Sequence, residues 1–433
     1  MLNIIKNSLK SIFDFKGKTK LNIILDSLFL VFFFFTLVSI PMFSFRKEFT
    51  FVTWIFTIIT FLIIFIELLL FYKLKVDIFA ISLSFFLVSA LISSAINKFE
   101  SFVITPLFLN LVTIIVYLYL RSNKSIIKST IACVYLALCV FVFVYLIRYG
   151  KDVFSFNTER LGNAFGDQND IALFLSLCFV FSAFIILNSN YVFKIFASIV
   201  GIIAFLCGAS TGSKVFLLTS AVTLIGIIIV SFGKKRWYLS LGAISFIVIA
   251  AIIMFEMPFM ANLKNRVLVF ISSFFDIGYT SSTGIDASSF DRYHLLKSSF
   301  ELFLTKPLFG YGVNGFQNAN GFYNGWSHNN LGEYLADFGL IGTLLFNLPI
   351  LLSIFSYFID KNKTEPKIKN LSFIIILFFI CAMFSVYYTR EKIYSFIIPI
   401  SFAVLYPQKE VFSFSVDIKK FKILKEKEAT YNE

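Results

Sequence analysis

Long apolar segments follow one another along nearly the whole chain, and short polar connectors separate them. Each segment has about the 17–25 residues that an α-helix needs to cross the hydrocarbon of a bilayer. We place them at about 21–44, 51–72, 76–95, 101–120, 127–147, 171–187, 192–208, 215–232, 238–257, 334–358, 371–387 and 392–406. The pattern predicts an all-α, polytopic helical membrane protein with about 12 transmembrane helices.

Composition supports a membrane setting. Of 433 residues, 58% are hydrophobic, 60 are phenylalanine and only 15% are charged. A soluble domain could not bury that much apolar surface, whereas a bilayer takes it up as a solvent. The five cysteines fall inside apolar segments, so we interpret them as small core residues rather than disulfides.

The basic residues indicate the orientation. With the amino terminus in the cytoplasm, the cytoplasmic segments carry 24 of the 38 Lys and Arg, and the outer segments carry the other 14. The positive-inside rule selects this orientation. The net charge of +13 therefore reports topology and attraction to anionic lipid. No basic patch with base-stacking aromatic residues stands outside the membrane, so we expect no nucleic-acid partner.

These features divide the chain into five parts. They are a cytoplasmic amino-terminal segment (1–20), transmembrane helices one to nine (21–257), one large periplasmic loop with an amphipathic helix (258–333), transmembrane helices ten to twelve (334–406) and a basic cytoplasmic tail (407–433). The long loop is the only extramembrane part large enough to form a lid or a groove.

Several kinds of chemistry are disfavoured. His294 and His328 are the only histidines, and no spacing typical of a metal site occurs, so we expect neither a metal nor another cofactor. Charges inside the predicted spans are few. We interpret Asp26 and Glu67, near cytoplasmic helix ends, as side chains that snorkel to water.

Polar residues concentrate on the outer side, in three segments. The first, YGKDVFSFNTERLGNAFGDQND, carries Arg160 and Asn169. The second is the turn GASTGSKVF, with Lys214 at the mouth of a helix. The third is the long loop, which holds Arg266 and Arg292. Cations grouped at a membrane surface suit a phosphate or pyrophosphate on a lipid carrier, although each alone is more often a solvated charge.

The stretch ASSFDRYHLLKSSFELFLTK predicts a helix over about 289–305. Ser288 and Asp291 resemble a helix cap, Pro307 limits continuation, and Arg292 lies at the edge of the apolar face. That face, expected to lie against the bilayer surface or the bundle, is formed by Phe290, Tyr293, Leu296, Phe300, Phe303 and Leu304. In the LFGYGVNGF that follows, we interpret Gly310 and Gly312 as a tight turn rather than a phosphate cradle.

The stretch GWSHNNLGEYLADFGLIG, at 325–342, opens the tenth span. Asn330 and Glu333 read as a capping pair there, and the positive end of the helix dipole favours an anion. His328 stands just before this helix, beside Trp326 and Tyr323. It is either a simple cap or part of a site, and the outer cations favour the site.

These segments carry a resemblance to a known family. SHNNLGEYLADFGLIG resembles the His-Asn, Glu, Gly-x-x-Gly signature of the O-antigen polymerase and O-antigen ligase membrane family. SSFDRYHLLKSSFELFLTKPLFGYGVNGF, ERLGNAFGDQNDIA and GASTGSKVFLL resemble other segments of that family. In the last, Lys214 stands where arginine is usual and no glycine follows, which keeps the charge but loses the bidentate fork. The resemblance covers about residues 157–345.

The resemblance implies a metal-independent, inverting membrane glycosyltransferase of GT-C-like fold, in the bacterial inner membrane with its site facing the periplasm. Undecaprenyl-pyrophosphate-linked glycans would be donor and acceptor. His328 would be the general base, Arg292 a leaving-group contact and Glu333 the second candidate base. The other residues expected to bind substrate or pyrophosphate are Arg160, Lys214, Arg266, Asn169, Asn329, Asn330 and Tyr293.

Alternatives stay open at this point. The polymerase branch of the family extends a lipid-linked glycan, with a chain-length regulator protein as a possible partner, whereas the ligase branch transfers it to lipid A core. We favour the polymerase, because nothing points to a large lipid A core acceptor. A lipid-linked glycan flippase would be expected to show two related halves and charges at mid-membrane, and the sequence shows neither. A non-catalytic assembly partner would not need a histidine at a helix mouth.

Overall fold

The structure is a computed structural model, and it describes most of the chain. The described residues are 18–43, 48–72, 74–97, 104–154, 161–162, 164–165, 167–232, 237–255, 257, 287–319, 326–359, 365–384, 392–406 and 413–416. The predicted site residues Arg160 and Arg266 lie outside this set. Arg292 and Tyr293 lie in a described helix, but their side chains are outside the description.

The described part is built almost entirely of α-helices. In chain order they are α1 (Lys20–Phe43), α2 (Thr50–Phe71), α3 (Ile78–Ile96), α4 (Ile104–Ser122), α5 (Ile127–Phe154), α6 (Gln168–Asn188), α7 (Tyr191–Ser210), α8 (Lys214–Phe232), α9 (Trp237–Phe255), α10 (Ala287–Thr305), α11 (Gly315–Ala319), α12 (Asn330–Ile359), α13 (Pro366–Ala382) and α14 (Tyr394–Leu405). A 3-10 turn (Lys124–Ile126) precedes α5. Strands β1 (Leu74–Asp77) and β2 (Ser413–Val416) form one antiparallel pair, with Leu74 opposite Val416.

Each of the twelve predicted spans coincides with one of these helices, which confirms an all-α polytopic membrane protein. Nine helices of the described part, α1 to α8 and α12, are long and apolar enough to cross a bilayer. The other three are α9, with 19 residues, α13, with 17, and α14, with 12.

The helices form a bundle with two ends. We call the end where α12 begins at Asn330 the loop end, and the end where α1 begins at Lys20 the tail end. At the loop end, Ser213 before α8 donates to Asn169 of α6 at 2.8 Å. At the tail end, Lys128 of α5 pairs with Glu365 before α13 at 2.7 Å. These contacts fit helices that alternate in direction; which end faces the cytoplasm stays a prediction.

The surface and the interior of the bundle differ as a membrane protein requires. Large apolar side chains project outward along the helices; Ile147 is 85% exposed and Phe51 58%. Inside, hydroxyl groups join neighbouring helices, as between Thr36 and Thr60 at 3.0 Å and between Ser176 and Thr219 at 2.8 Å. Interhelical hydrogen bonds of this kind contribute to association where water is absent. The five cysteines are all free, as predicted.

The snorkelling interpretation of Asp26 and Glu67 is wrong. Both side chains are completely buried inside the bundle near the tail end. Asp26 accepts hydrogen bonds from Asn123 Nδ2 at 2.7 Å and Tyr119 OH at 3.0 Å, and it forms an ion pair with Lys18. The apolar patterning of the spans gave no sign of these partners, because they come from α4, from the residue that follows it and from the segment before α1.

The predicted amphipathic helix is present as α10. It begins at Ala287, so Ser288 lies inside the helix rather than at its cap, and it ends at Thr305, before Pro307. The face that packs on the bundle matches the predicted one only in part, because Leu296 of that face approaches Gly332 of α12. Leu295 and Ser299 are buried and Leu302 packs with them, whereas Phe300 is 43% exposed and Leu304 73%. The predicted apolar residues at these two positions therefore project away from the bundle.

Helix α12 is broken one-third of the way along. Gly339 has φ 64° and ψ −166°, which is not helical. In an unbroken helix the amides of Leu340 and Ile341 would donate to the carbonyls of Ala336 and Asp337, four residues back. The backbone angles of Gly339 are incompatible with this pattern, and each of the four groups binds the segment 307–312.

Each of the four backbone groups has one partner in the segment 307–312. The Gly-x-Gly turn at Gly310 and Gly312 donates to the two freed carbonyls, and the residues before it accept from the two freed amides. The bonds are Tyr311 N to Ala336 O at 2.9 Å, Gly312 N to Asp337 O at 2.7 Å, Leu340 N to Pro307 O at 2.8 Å and Ile341 N to Leu308 O at 3.3 Å. The glycines thus form a turn that completes a broken helix, and their amides are not a phosphate cradle.

Candidate functional site

Two helices cross closely at the loop end. A methyl group added to Gly332 of α12 would lie 2.4 Å from Ser299 Oγ and 3.0 Å from Leu296 Cδ1 of α10. A Cβ at this position would force the Ser299 hydroxyl and the Leu296 side chain to shift, so glycine leaves room for the two helices to approach this closely. The crossing brings the helix that carries Arg292 against the first turn of the helix that follows His328.

The position of Arg292 along α10 can be placed from the backbone. It lies seven residues before Ser299, the residue that meets Gly332. Residues seven apart share one face of a helix, about two turns or 10.5 Å apart along the axis. Position 292 is therefore on the face of α10 that meets α12. Tyr293 lies one residue away, about 100° around the helix.

The cap of α12 differs by one residue from the prediction. Asn329, not Asn330, is the capping side chain, and its Oδ1 accepts from Leu331 N at 2.9 Å and Gly332 N at 3.3 Å. Glu333 is completely buried, and its Oε2 accepts from Ser327 N at 2.6 Å. Glu333 thus holds the backbone of Ser327, two residues before the cap, rather than the capping residue itself as in a capping box.

The expectation that this helix mouth offers free donors to an anion is not supported. Asn330 N donates to Met383 O at 2.8 Å, and Glu333 N donates to Asn329 O at 3.0 Å. With Leu331 and Gly332 held by Asn329, all four amides at the start of α12 already have acceptors. What remains for a ligand is the dipole and the nearby side chains.

His328 is held in an unusual backbone conformation. Its φ is 56°, in the left-handed region that few non-glycine residues adopt. The imidazole is half-buried, and its centroid lies 4.2 Å from the ring of Trp326. Because Asn329 caps the first turn, the structure gives no support to His328 as the capping side chain. His328 instead lies in the segment just before the helix, with its backbone in the left-handed conformation.

A second group of predicted residues meets at the loop end. Leu161 N donates to Ser210 O at 3.1 Å, which joins the segment before α6 to the end of α7. Ser213, next to Lys214, donates to Asn169 Oδ1 at 2.8 Å. Two of the three polar outer segments are therefore in contact, as expected of a shared site. Helix α13 packs against both α8 and α12, so it lies between this group and His328.

A small cavity opens beside Asn330. It has a volume of about 60 Å³, room for about two water molecules. Its polar lining comes from Asn330 and Tyr334 of α12, Asn110 and Thr113 of α4, and Tyr394 and Ser395 of α14. Of these six residues sequence reasoning named only Asn330; it missed the other five, because they lie within or beside apolar spans and only packing brings them together.

A comparison with protein families gives the kind of domain. Residues 196–347 match a family model described as O-antigen ligase. The resemblance to this family is therefore confirmed over α7 to the first part of α12. The matched segment contains Lys214, Arg292, His328 and Glu333, but not Arg160 or Asn169. No curated protein matches the chain.

Proposed function

We propose that the protein is a membrane glycosyltransferase that polymerises undecaprenyl-pyrophosphate-linked oligosaccharide repeat units at the outer face of the inner membrane. The observation that carries the proposal is the crossing of α10 and α12 at Gly332. It brings the helix of Arg292 to the mouth preceded by His328, within the segment that matches the O-antigen ligase family. The proposal therefore rests on the arrangement of specific residues and not on similarity of fold alone.

The proposed chemistry is a direct displacement. His328 takes the proton from an acceptor sugar hydroxyl as its oxygen attacks the anomeric carbon of the donor. The bond from that carbon to the pyrophosphate oxygen breaks, and the lipid pyrophosphate leaves with the electron pair. Attack on the face opposite to the leaving group inverts the anomeric carbon. The proposed reaction needs no metal, since protein cations stabilise the leaving group.

Glu333 has a positioning role in this proposal. Its Oε2 holds the backbone of Ser327, the residue next to His328, and its Oε1 has no hydrogen-bond partner among the described residues. A completely buried carboxylate that already accepts from the backbone is a poorer candidate for the base than half-buried His328. Loss of Glu333 would release the segment that fixes the imidazole.

The leaving group is assigned to Arg160, Lys214, Arg266 and Arg292. Arginine binds a phosphate through two parallel N–H donors, which lysine cannot reproduce. Arg292→Lys should therefore lower turnover while leaving the protein folded. Normal turnover in a folded Arg292→Lys enzyme would remove that residue from the leaving-group contacts. Asn169, Asn329, Asn330 and Tyr293 complete the proposed substrate contacts.

The direct test is glycan extension by His328→Ala in membranes matched for protein amount. A positioned proton acceptor contributes about a hundredfold or more to turnover, so extension should fall by at least that much. His294→Ala, the same change at the other histidine, is the matched control and should stay near wild type. Near-normal extension by folded His328→Ala would contradict the proposed base.

The ligase alternative has a separate test. The matched family model is described as O-antigen ligase, so transfer to lipid A core is the second candidate function. In a deletion strain, single repeat units on lipid A core would indicate a missing polymerase. Polymer left on the undecaprenyl carrier would indicate a missing ligase. A chain-length regulator protein is a proposed partner of the polymerase alone.

A further inference from the structure

A buried lysine at the loop end belongs to none of the groups described above. Lys392 lies between α13 and α14, outside both helices, and only 7% of it is exposed. Its Nζ sits 4.7 Å from the ring centroid of Trp54 on α2. Among the described residues, no carboxylate pairs with this ammonium group and no oxygen accepts a hydrogen bond from it.

A buried cation without a counter-ion is unfavourable. The ring of Trp54 offsets part of the lost hydration, but a cation–π contact is weaker than an ion pair with an anion. Burial lowers the pKa of Lys392 to about 8, because the charged form loses its water. An anionic ligand would complete the environment of the charged amine.

A comparison within the chain shows how unusual this arrangement is. Lys306 also lies over an aromatic ring, 4.1 Å from the centroid of Tyr311, at the same end of the bundle. Lys306, however, is exposed and hydrogen-bonds to Asn97. Lys306 thus has water and an amide oxygen as partners, whereas Lys392 is largely buried and has no hydrogen-bond acceptor among the residues that the structure describes.

The surroundings of Lys392 indicate a lipid. Trp54 lies near the start of α2, and tryptophan is enriched at the level of lipid headgroups. The outward face of α2 beside it exposes Phe51 at 58% and Ile55 at 47%. An anion that contacts Lys392 would thus lie at headgroup depth, with an apolar helix face beneath it for hydrocarbon chains.

The same lysine lies close to the candidate site. Tyr394 and Ser395, two and three residues further on, line the small cavity that Asn330 also lines. On the other side, the ring of Trp54 packs against Phe108 of α4 at 5.7 Å, and Asn110 of α4 lines that cavity. Lys392 is thus joined to the mouth of α12 through α4 and α14.

We propose that Lys392 and Trp54 form a binding site for the phosphate group of a membrane lipid at the loop end. The ligand class is a phosphate ester on a long hydrocarbon, which both bilayer phospholipids and lipid-linked glycan carriers provide. Identifying it with the carrier rests on the proposed function; the phosphate site itself does not. In this site the ammonium group of Lys392 supplies the positive charge, and the indole of Trp54 forms one wall. The outward face of α2 provides the surface on which the hydrocarbon chain of the lipid lies.

The test measures lipid binding without turnover. The purified full-length protein in detergent is titrated with farnesyl pyrophosphate and, separately, with dioleoylphosphatidylglycerol, and affinity is read from the shift in melting temperature. Farnesol and dioleoylglycerol, which lack the phosphate group, are the controls for the phosphate. Inorganic pyrophosphate, which lacks the hydrocarbon, is the control for the chain. The variants are Lys392→Met, Lys392→Arg and, as the matched control, Lys306→Met.

We expect Lys392→Met to weaken binding of a phosphate lipid about tenfold, the usual contribution of one charge-assisted contact. Lys392→Arg and Lys306→Met should bind as wild type does, and farnesol and dioleoylglycerol should bind weakly to every variant. A folded Lys392→Met with wild-type affinity, or an equal loss in Lys306→Met, would overturn the proposal. Inorganic pyrophosphate binding as tightly as farnesyl pyrophosphate would overturn the lipid assignment.

If Lys392→Met does not fold, the lipid affinities of the wild-type protein test the proposal. Equal binding of each phosphate lipid and its phosphate-free control would overturn the site. Preference for farnesyl pyrophosphate supports the carrier as ligand, and preference for the phospholipid supports a bilayer lipid. His328→Ala should keep wild-type lipid affinity, so loss of extension in that variant would leave this result unaffected.

Discussion

Gly339→Ala tests the broken helix directly. Gly339 has φ 64° and ψ −166°, a region of backbone space that is essentially restricted to glycine. A Cβ there would also lie 2.4 Å from the carbonyl carbon and oxygen of Leu308 and 2.6 Å from Phe309 N. These neighbours are backbone atoms, so no side-chain rotation can relieve the overlap.

The expected cost follows from these two effects. The disfavoured backbone conformation costs about 1–3 kcal/mol. Forcing a methyl group into a packed site costs about another 1–3 kcal/mol. Gly339→Ala should therefore lower the free energy of unfolding by about 2–6 kcal/mol. Gly242→Ala is the matched control: its Cβ meets nothing within 4 Å on α9, so it should be neutral or stabilise by up to about 1 kcal/mol.

The assay is the melting temperature in detergent, followed by size-exclusion chromatography after heating. Gly339→Ala should melt well below wild type, whereas Gly242→Ala should melt at or slightly above it. Because membrane proteins often unfold irreversibly, all three proteins are heated at one scan rate. If Gly339→Ala melted within a degree of wild type, the interlocked backbone around residue 339 would be wrong.

Other predictions concern the cap, the chemistry and the topology. Asn329→Ala should lower the free energy of unfolding by about 1 kcal/mol, while Asn329→Asp, which keeps the accepting oxygen, should stay near wild type in the same melting assay. Glycan extension by the purified enzyme on lipid-linked substrate should be undiminished in a chelator, and a loss restored by magnesium or manganese would contradict the proposed cationic site. Reporter fusions at residues 235 and 285 should lie on opposite sides of the membrane; finding both on one side would contradict the predicted topology.

Much of the fold could be predicted because apolar length is a strong signal. Each predicted span contains a helix, and α10 ends where Pro307 requires. The face of α10 was harder to predict, because a helix between a bilayer and a bundle has two apolar environments. Leu295 and Ser299 face protein, whereas Phe300 and Leu304 face outward, and periodicity cannot tell which apolar surface is which.

The candidate site was predictable only where it follows local sequence rules. The sequence indicated a cap at the start of α12, but the predicted Asn330–Glu333 pair is wrong, because Asn329 is the cap and Glu333 holds Ser327 N. Lys392 and the residues that line the cavity carry no local signal, because their environments come from α2, α4, α12 and α14 together. A lysine in an outer connector looks like any solvated charge until packing shows that it is buried.

The exchange of hydrogen bonds around Gly339 limits how the protein can move. If the segment 307–312 swung outward as a lid, four backbone bonds would break and the groups of α12 would face apolar surroundings. At about 1 kcal/mol or more for each bond, the open form would hold fewer than about one molecule in a thousand. Any motion that opens the bundle must therefore come from elsewhere, and this part of the loop behaves as a fixed wall.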